Sequence, residues 1–256
     1  MTRSGTDSKG GFGRGDFARL AALEPRSFWF RSRNRLITWA LRRYFPNAGS
    51  FLEVGCGTGF VLTALEREFP GWRLTGGELF PEGVRLASAR LEHATLCQMD
   101  ARSIPFSNAF DVVGIFDVLE HVPEDVQVLA DLHCALRSRG GLLLTVPQHP
   151  FLWSEADDYA HHVRRYRHGE LLAKVTSAGF SMIRCTSFIS LPMPLLAASR
   201  VRYRRRGIFD PDAELALPPL VDRGLERVLN VERWLIRHGV RFPFGGSLLV
   251  AARKSS

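Results

Sequence analysis

Short apolar runs alternate with amphipathic stretches along the middle of the chain, between about residues 50 and 150. The runs SFLEV, WRLTGGE, ATLCQMD, AFDVVGIFD and LLLTVP have the length and composition of buried strands. Between them, VLTALEREF, PEGVRLASARL and VPEDVQVLADLHCALRS carry apolar residues at helical spacing, and we expect the last of these helices to end at Gly140 and Gly141. This alternation predicts a parallel sheet with helices on both faces.

Helical and strand patterns continue on both sides of this core. FWFRSRNRLITWALRRY predicts an amphipathic helix over residues 28–45, and after residue 150 come a helix, LLAKVTSAG, and the strands FSMIRCTSF and SLLVAARK. Residues 191–246 are too long for a simple connection and predict a helical insertion or cap, with ERVLNVERWLI as its best helix. The fold class predicted is α/β: a doubly wound, mostly parallel seven-stranded sheet with a helical insertion before the last, antiparallel strand.

Composition fits one folded domain of ordinary polarity. Apolar residues make up 45% of the chain and charged residues 23%, as in soluble globular proteins. Residues 1–15 are rich in Gly, Ser and charge and predict a flexible tail, so the domain is expected over residues 16–256. No run reaches the roughly 20 apolar residues of a membrane-spanning helix. The four scattered cysteines form no C-x-x-C pair, which favours reduced thiols and a cytoplasmic location.

A glycine-rich loop, EVGCGTG, follows the first predicted strand. In an open parallel sheet, this loop borders the crevice where ligands bind. Gly55, Gly57 and Gly59 have no Cβ, so a nucleoside-type ligand could lie against bare backbone there. The dinucleotide fingerprint G-x-G-x-x-G requires a glycine at position 60, and this chain has Phe60 there.

Acidic residues follow the next strands at the same predicted edge. Glu78 ends the second strand, about twenty residues after the loop, where a carboxylate can accept hydrogen bonds from both ribose hydroxyls. Asp100, followed by Ala101, ends the third strand, in position to accept a hydrogen bond from an adenine amino group. The fourth strand opens into a loop that carries Asp117, Glu120 and His121.

These segments, taken in order, resemble the motifs of class I S-adenosylmethionine-dependent methyltransferases with a Rossmann-like fold, of the type 11/12-like bacterial subgroup. The resemblance covers about residues 50–150, the cofactor-binding core, and rests on EVGCGTG, Glu78, MDARSIPF, FDVVGIFDVLEHVP and GGLLLTVP. It implies S-adenosyl-L-methionine as cofactor. The part after residue 150, with HPFLW, HHVRRY and FPFGGSLLVAARK, resembles a less characterised bacterial subgroup and implies no substrate.

The resemblance also implies roles for single residues. Glu53 and the loop backbone would hold the methionine part of the cofactor, Glu78 the ribose, Phe80 the nucleoside face, and Asp100 with Ala101 the adenine. Asp117 and Val118 would line the pocket near the methyl group. The full set implied to bind the cofactor is Glu53, Gly55, Cys56, Gly57, Gly59, Glu78, Leu79, Phe80, Asp100, Ala101, Asp117 and Val118.

Each of these residues also has a purely structural interpretation. Glu78 could be a surface carboxylate and Asp100 a helix cap if either stood alone, and Cys56 a small packing residue. His121 is either a loop residue bonded to backbone or a catalytic base. The co-occurrence of the acids with the glycine loop favours the binding roles.

The acceptor site is expected above the methyl group, in the polar stretch from Pro147 to Glu170. His162 is the preferred general base because histidine titrates near neutral pH and arginines suited to an anionic substrate flank it; His121 and Tyr166 are further catalytic candidates. The alternative is that His161 and His162 only cap or orient the loop. A metal site built from His149, Asp157, Asp158 and His161 matches no known ligand spacing, so no metal is expected.

Basic residues follow an apolar, proline-broken stretch in FISLPMPLLAASRVRYRRR. Apolar insertion next to the cluster formed by Arg200, Arg202, Arg204, Arg205 and Arg206 suits an anionic membrane surface. The other interpretation is a cap over the active site with a solvated basic face. The net charge of +8 does not by itself indicate nucleic acid, because no recognised binding motif accompanies it.

The sequence therefore predicts a cytoplasmic methyltransferase that acts on a small or lipid-linked acceptor, with oxygen favoured as the acceptor atom. Peripheral contact with a membrane is left open. Two other hypotheses remain. One is a non-catalytic cofactor-binding or membrane-peripheral protein of the same fold, and the other is a nicotinamide-dependent oxidoreductase, which the loop pattern disfavours. Nothing in the pattern specifies an oligomeric state.

Overall fold

The computed structural model describes residues 16–195 and 217–255, and these contain a seven-stranded sheet of order β3-β2-β1-β4-β5-β7-β6. Strands β1 to β5 run parallel, and β7 lies antiparallel between β5 and β6. The strands are β1 Ser50–Val54, β2 Arg73–Glu78, β3 Thr95–Gln98, β4 Phe110–Phe116, β5 Leu136–Pro147, β6 Phe180–Phe188 and β7 Ser247–Lys254. The predicted fold class is confirmed. Its strand order reverses beside β1, so the carboxyl ends of β1 and β4 border a crevice.

Helices cover both faces of this sheet. They are α1 Asp16–Leu23, α2 Phe28–Tyr44, α3 Phe60–Glu68, α4 Pro81–Arg90, α5 Asp125–Ala135, α6 Glu155–Tyr159, α7 His168–Ser177 and α8 Pro219–Arg237, with short 3-10 turns at Leu119–His121 and Pro150–Leu152. Residues of α2, α3 and α8 form one buried apolar layer, and residues of α5 and α7 form the other. Both layers are apolar because strands covered on two faces bury every side chain.

The helix before β5 is shorter than the sequence predicts. It ends at Ala135, and Leu136 already pairs with Phe110 of β4, after which the register shifts. Gly141 is therefore a strand residue: a Cβ there would lie 2.2 Å from the Phe45 ring. Gly141 permits close packing on that ring, and the glycine pair does not end the helix.

The long C-terminal helix packs on α2 through charged as well as apolar contacts. Phe28 N, at the start of α2, donates to Asp222 Oδ1 at 2.6 Å. Arg31 bridges Asp222 and Glu226 of α8, with both distances at 2.5 Å. These contacts satisfy a backbone N–H that the first turn of α2 leaves without a helical partner, and they join α2 to α8 on one face of the sheet.

Parts of the predicted insertion and tail lie outside the described residues. The tail 1–15 and the cluster from Arg200 to Arg206 are among them, while the expected helix ERVLNVERWLI is present within α8. Within the two described stretches, no helix combines the length and the apolar character needed to cross a bilayer.

Candidate functional site

The glycine loop between β1 and α3 has the backbone conformation that its sequence requires. Gly55, Gly57 and Gly59 have φ values of 73°, 55° and 76°, in the left-handed region that side chains disfavour. A Cβ at Gly55 would lie 2.4 Å from Val118 Cγ2, so this glycine allows the loops after β1 and β4 to touch. A Cβ at Gly57 would meet no atom within 4 Å. The backbone at Gly57 therefore faces open space at the crevice.

Glu78 joins this loop to the start of α4. Its Oε2 accepts a hydrogen bond from Gly57 N at 2.9 Å, and its Oε1 accepts one from Phe80 N at 3.0 Å. Burial raises the pKa of Glu78, and the bonds from Phe80 and Gly57 counteract this. The carboxylate holds the crevice in shape, and each oxygen keeps a lone pair for a further donor. The neighbouring Leu79 accepts from Gln98 through its backbone oxygen.

Glu53, in β1, is a buried acid at the same edge. Burial raises its pKa well above the ordinary range, while the charge of Arg33 favours the ionised form. Its Oε2 has no hydrogen-bond partner among the described residues. Arg33 pairs with Asp117, and its guanidinium lies 4.6 Å from the centre of the Trp29 ring. An ammonium group in the crevice could supply the partner that Glu53 lacks.

Asp100 lies at the outer side of the crevice, after β3. Its carboxylate binds the Arg102 side chain at 2.6 Å and accepts from Arg102 N at 2.9 Å. The hydrogen bond from the Arg102 side chain is the main cause that holds the pKa of Asp100 below its usual value. Ala101 packs beside the core formed around Met99. Asp100 is ionised and partly exposed, so it can accept another hydrogen bond.

Helix α1 lies across this edge, and the sequence analysis did not anticipate it. Glu24, just after α1, accepts from Thr58 of the glycine loop at 2.5 Å and from Arg90 of α4 at 2.6 Å. The ring of Phe17 lies 5.6 Å from that of Phe80. At its other side α1 reaches α6, where Arg19 donates to the Tyr159 hydroxyl. The helix thus links the glycine loop with the polar stretch after β5.

That polar stretch brings His162 to the residues that follow β4. Its Nδ1 lies 2.8 Å from Asp157 Oδ1, and its Nε2 lies 4.0 Å from Glu120 Oε1. The ring centres of His162 and His121 are 4.8 Å apart. Arg165 also donates to Asp157, at 2.7 Å. His162, named from the sequence, therefore lies next to His121 and the buried Glu120. We call Glu120, His121 and His162 the acid–histidine cluster.

Burial shifts the pKa values of residues in and next to this cluster. Burial and the nearby His162 lower the pKa of His121 to about 4, so its imidazole is neutral at pH 7. Burial and the charge of Asp117 raise the pKa of Glu120 well above its ordinary value. Burial opposes ionisation of Asp157, but hydrogen bonds from His162 and Arg165 outweigh it and lower the pKa to about 2. Asp157 is thus the ionised partner of His162.

Tyr166, another catalytic candidate, lies in the core. Its side chain is fully buried, and its hydroxyl donates to Asp125 Oδ2 at 2.8 Å. Lys174 donates to the same oxygen at 2.6 Å. Burial and the hydrogen bond to Asp125 raise the pKa of Tyr166. This position suits a structural support of the loop and does not fit contact with a substrate.

The four residues first considered for a metal do not assemble. Among the described residues, the group of potential ligands that does meet is Glu120, His121 and His162. Asp157 instead binds His162, and Asp158 accepts from Trp153 Nε1 at 3.0 Å. His149 stacks on Phe244, with ring centres 4.4 Å apart. Sequence spacing could not show this, because the trio comes from two separate segments.

Comparison with known families places the crevice within a recognised domain. Residues 52–144 match the family model described as methyltransferase domain. The match runs from β1 into β5 and so contains the glycine loop, Glu78, Asp100 and Asp117. The cofactor-binding core expected over residues 50–150 stays a prediction.

Two curated relatives match the same part of the chain. A ubiquinone biosynthesis O-methyltransferase of Psychrobacter arcticus is 32% identical over 109 residues, or 39% of this chain and 41% of the relative. A ubiquinone/menaquinone biosynthesis C-methyltransferase of Desulfotalea psychrophila is 29% identical over 98 residues, 37% of this chain and 40% of the relative. The alignments thus span about two fifths of the relatives' length.

A solved structure extends the likeness of fold beyond the matched domain. The phosphoethanolamine N-methyltransferase 2 of Haemonchus contortus, in complex with S-adenosyl-L-methionine, superposes with a TM-score of 0.58 at 20% identity, over 87% of this chain and 53% of that one. The three similar proteins are named for oxygen, carbon and nitrogen acceptors. Their names therefore do not agree on which atom is methylated.

Proposed function

We propose that this protein is an S-adenosyl-L-methionine-dependent methyltransferase that methylates an oxygen of a small or lipid-linked acceptor. The observation that carries the proposal is the crevice at Gly57, where bare backbone in a left-handed conformation faces open space beside the buried carboxylate of Glu78. The match of residues 52–144 to the methyltransferase-domain family model supports it. A nicotinamide cofactor is disfavoured, because Phe60 begins α3 where the dinucleotide fingerprint is not met.

The proposed cofactor contacts follow from which groups in the crevice can still form hydrogen bonds or contact a ligand. Glu53 receives the methionine ammonium, since one of its buried oxygens has no partner in the described residues. The backbone from Gly55 through Cys56 to Gly59 lies against the sulfonium side, and Glu78 accepts from the ribose hydroxyls. Leu79 and Phe80 pack on the nucleoside.

The remaining contacts lie at the two ends of the crevice. Asp100 with Ala101 binds the adenine amino group, and Asp117 with Val118 closes the pocket near the methyl group. Asp117 is held there by its ion pair with Arg33, so it acts by shaping the pocket rather than by taking a proton.

The acceptor hydroxyl lies against the acid–histidine cluster. Methyl transfer needs an in-line approach of the acceptor oxygen and removal of its proton. The cluster is the part of the described edge that combines imidazoles with a buried carboxylate, and His162 Nδ1 is fixed by Asp157 at 2.8 Å. We therefore assign activation of the acceptor hydroxyl for loss of its proton to this cluster and not to Tyr166.

We further propose that the acceptor is presented at an anionic membrane surface. The support is the sequence from Leu191 to Arg206, in which apolar residues precede five arginines. Co-sedimentation with anionic vesicles at low salt, compared with neutral vesicles, tests this, because each surface charge contributes about 1 kcal/mol and salt screens it. Equal sedimentation with both kinds of vesicle would contradict it.

Transfer of a labelled methyl group tests the catalytic proposal directly. The full chain is incubated with methyl-labelled S-adenosylmethionine and bacterial small-molecule or lipid extracts, and the product is examined for a labelled methyl ether. Label in an O-methyl product, lost in Glu78→Ala and retained in Glu92→Ala, supports the proposal. Cofactor binding without turnover in any extract would support a non-catalytic binding protein of the same fold.

A further inference from the structure

Three potential metal ligands meet at the edge of the sheet, beside the polar stretch that follows β5. Glu120 and His121 belong to the 3-10 turn after β4, and His162 belongs to the loop after α6. One ligand atom from each lies within 4.8 Å of the other two. Val163 N donates to Glu120 O at 2.8 Å, which fixes the two segments side by side. The meeting of the three side chains thus depends on an ordered backbone contact.

Glu120 supplies an independent indication of a bound cation. Its side chain is fully buried, and within the described parts of the chain neither carboxylate oxygen has a hydrogen-bond partner. A buried carboxylate without partners is costly, and proteins usually pair such groups or use them to bind metals. Glu120 Oε1 points towards His162 Nε2, 4.0 Å away.

His162 has the support that metal-binding histidines usually have. Its Nδ1 donates to Asp157 Oδ1 at 2.8 Å, which leaves the lone pair of Nε2 directed at the cluster. Asp157 in turn accepts from Arg165 Nε at 2.7 Å and from Ser154 N at 2.8 Å. A carboxylate that orients a histidine in this way fixes the tautomer and direction needed for coordination.

We infer that Glu120, His121 and His162 bind one divalent transition-metal cation, whose open coordination positions take the oxygen of the methyl acceptor. The second half of this inference rests on the proposed function. Two imidazoles and one carboxylate suit Zn²⁺, Mn²⁺, Fe²⁺ or Co²⁺ and not Ca²⁺, which prefers oxygen ligands. Bonds of about 2.0–2.2 Å place tetrahedral ligand atoms about 3.4 Å apart, so small side-chain movements close the site.

The cation changes how the acceptor proton is removed. A metal-bound hydroxyl loses its proton at lower pH, and that proton passes to solvent. The oxygen then forms a bond to the methyl carbon as the carbon–sulfur bond breaks, and sulfur keeps the electron pair as a neutral thioether. His162 serves as a ligand in this scheme, and not as the general base expected from the sequence.

Metal titration of the untagged full-length protein tests the inference without any acceptor. Chelator-treated protein is titrated with Co²⁺ and with Zn²⁺ by calorimetry, and the visible absorption of the Co²⁺ form is recorded. We expect one cation per chain. Glu120→Gln, His121→Asn and His162→Asn each weaken binding at least about a hundredfold, and Asp157→Asn, which removes only the orienting contact, weakens it roughly tenfold.

His93→Asn is the matched control, since this exposed histidine precedes β3 at the opposite edge of the sheet and should leave metal affinity unchanged. Equal metal affinity in all variants, or no stoichiometric Co²⁺ binding by the wild type, would overturn the inference. The wild-type measurement requires no substitution, so it decides the matter even if a variant misfolds. S-adenosylhomocysteine affinity is measured in chelator on the same samples, which separates failure of the metal site from failure of the proposed function.

Discussion

At the scale of single residues, the acids of the crevice form two groups. Those of the first have hydrogen-bond partners within the protein for their carboxylate oxygens, and those of the second do not. Both oxygens of Glu78 hold backbone N–H groups, and Asp100 is held by Arg102. Glu53 and Glu120 are buried, and each has at least one oxygen without a partner among the described residues. Glu78 and Asp100 therefore shape the crevice and can accept further hydrogen bonds. Glu53 and Glu120 would be stabilised most by a bound cation.

The Gly57→Ala variant distinguishes an effect on ligand binding from an effect on the stability of the fold. In Gly57→Ala the added Cβ meets no protein atom, so the folded state bears only the left-handed strain of about 1–2 kcal/mol. The same methyl group projects into the proposed cofactor space. We expect S-adenosylhomocysteine affinity to fall more than tenfold while chemical denaturation shows a small loss of stability. Affinity unchanged in a folded Gly57→Ala protein would exclude the cofactor from this position.

Glu78→Ala tests the ribose contact. Loss of hydrogen bonds to a charged group should weaken S-adenosylhomocysteine binding by roughly 1.5–3 kcal/mol. Calorimetry gives this difference, and Glu92→Ala, which removes an exposed carboxylate, is the control. An unchanged dissociation constant would show that Glu78 only braces the loop.

The lowered pKa of His121 predicts a pH dependence of stability. Between pH 4 and 6.5 the unfolded chain binds a proton that the folded protein does not, because the folded pKa is about 4. Stability is therefore full above pH 6.5 and falls as the pH decreases. Urea unfolding in chelator should show that the wild type loses roughly 2 kcal/mol more than His121→Asn between pH 7.5 and pH 5. Parallel losses in the two proteins would contradict the burial of a neutral His121.

At the scale of elements, α1 lies against the glycine loop, and we expect its position to affect access to the crevice. The helix is tied to the glycine loop and to α4 through Glu24, Thr58 and Arg90, and to α6 through Arg19. Burial raises the pKa of Glu24, which hydrogen bonds from Thr58 and Arg90 oppose. We expect that a ligand bound in the crevice leaves more readily when these contacts open.

Arg90→Leu should therefore speed release of S-adenosylhomocysteine. Removing a charged hydrogen-bond donor from a partly buried site makes opening easier by about 1.4 kcal/mol, or roughly tenfold in the dissociation rate. Stopped-flow displacement measures that rate. Arg85→Leu, an exposed position on the same helix, should release ligand at the wild-type rate, and equal rates in all three proteins would show that α1 does not restrict exit.

Strands and helices with a strong apolar pattern could be predicted from the sequence, and the short helices could not. The strands β6 and β7 coincide with FSMIRCTSF and SLLVAARK, since alternation and burial determine them locally. The helices α1 and α6 span only eight and five residues and are held by tertiary contacts and a capping box. The helix before β5 was predicted too long, because pairing of Leu136 with β4 overrides its helical pattern.

At the scale of the whole molecule, the site is divided between a domain that sequence comparison recognises and a part that it does not. The crevice lies within residues 52–144, and its loop and acids could be predicted from their order. His162 comes from outside that range. Its contacts with Asp157 and Glu120 join separate segments, so no local pattern could reveal them.

Binding of S-adenosylhomocysteine compared with NAD tests the central claim most directly. Calorimetry on the full-length protein should give one site per chain with a low-micromolar or tighter dissociation constant for S-adenosylhomocysteine, and no heat of binding for NAD. The prediction follows from the glycine loop and Glu78 acting together on a nucleoside without a pyrophosphate. Binding of NAD in the absence of any binding of S-adenosylhomocysteine would contradict the proposal that this protein is a methyltransferase.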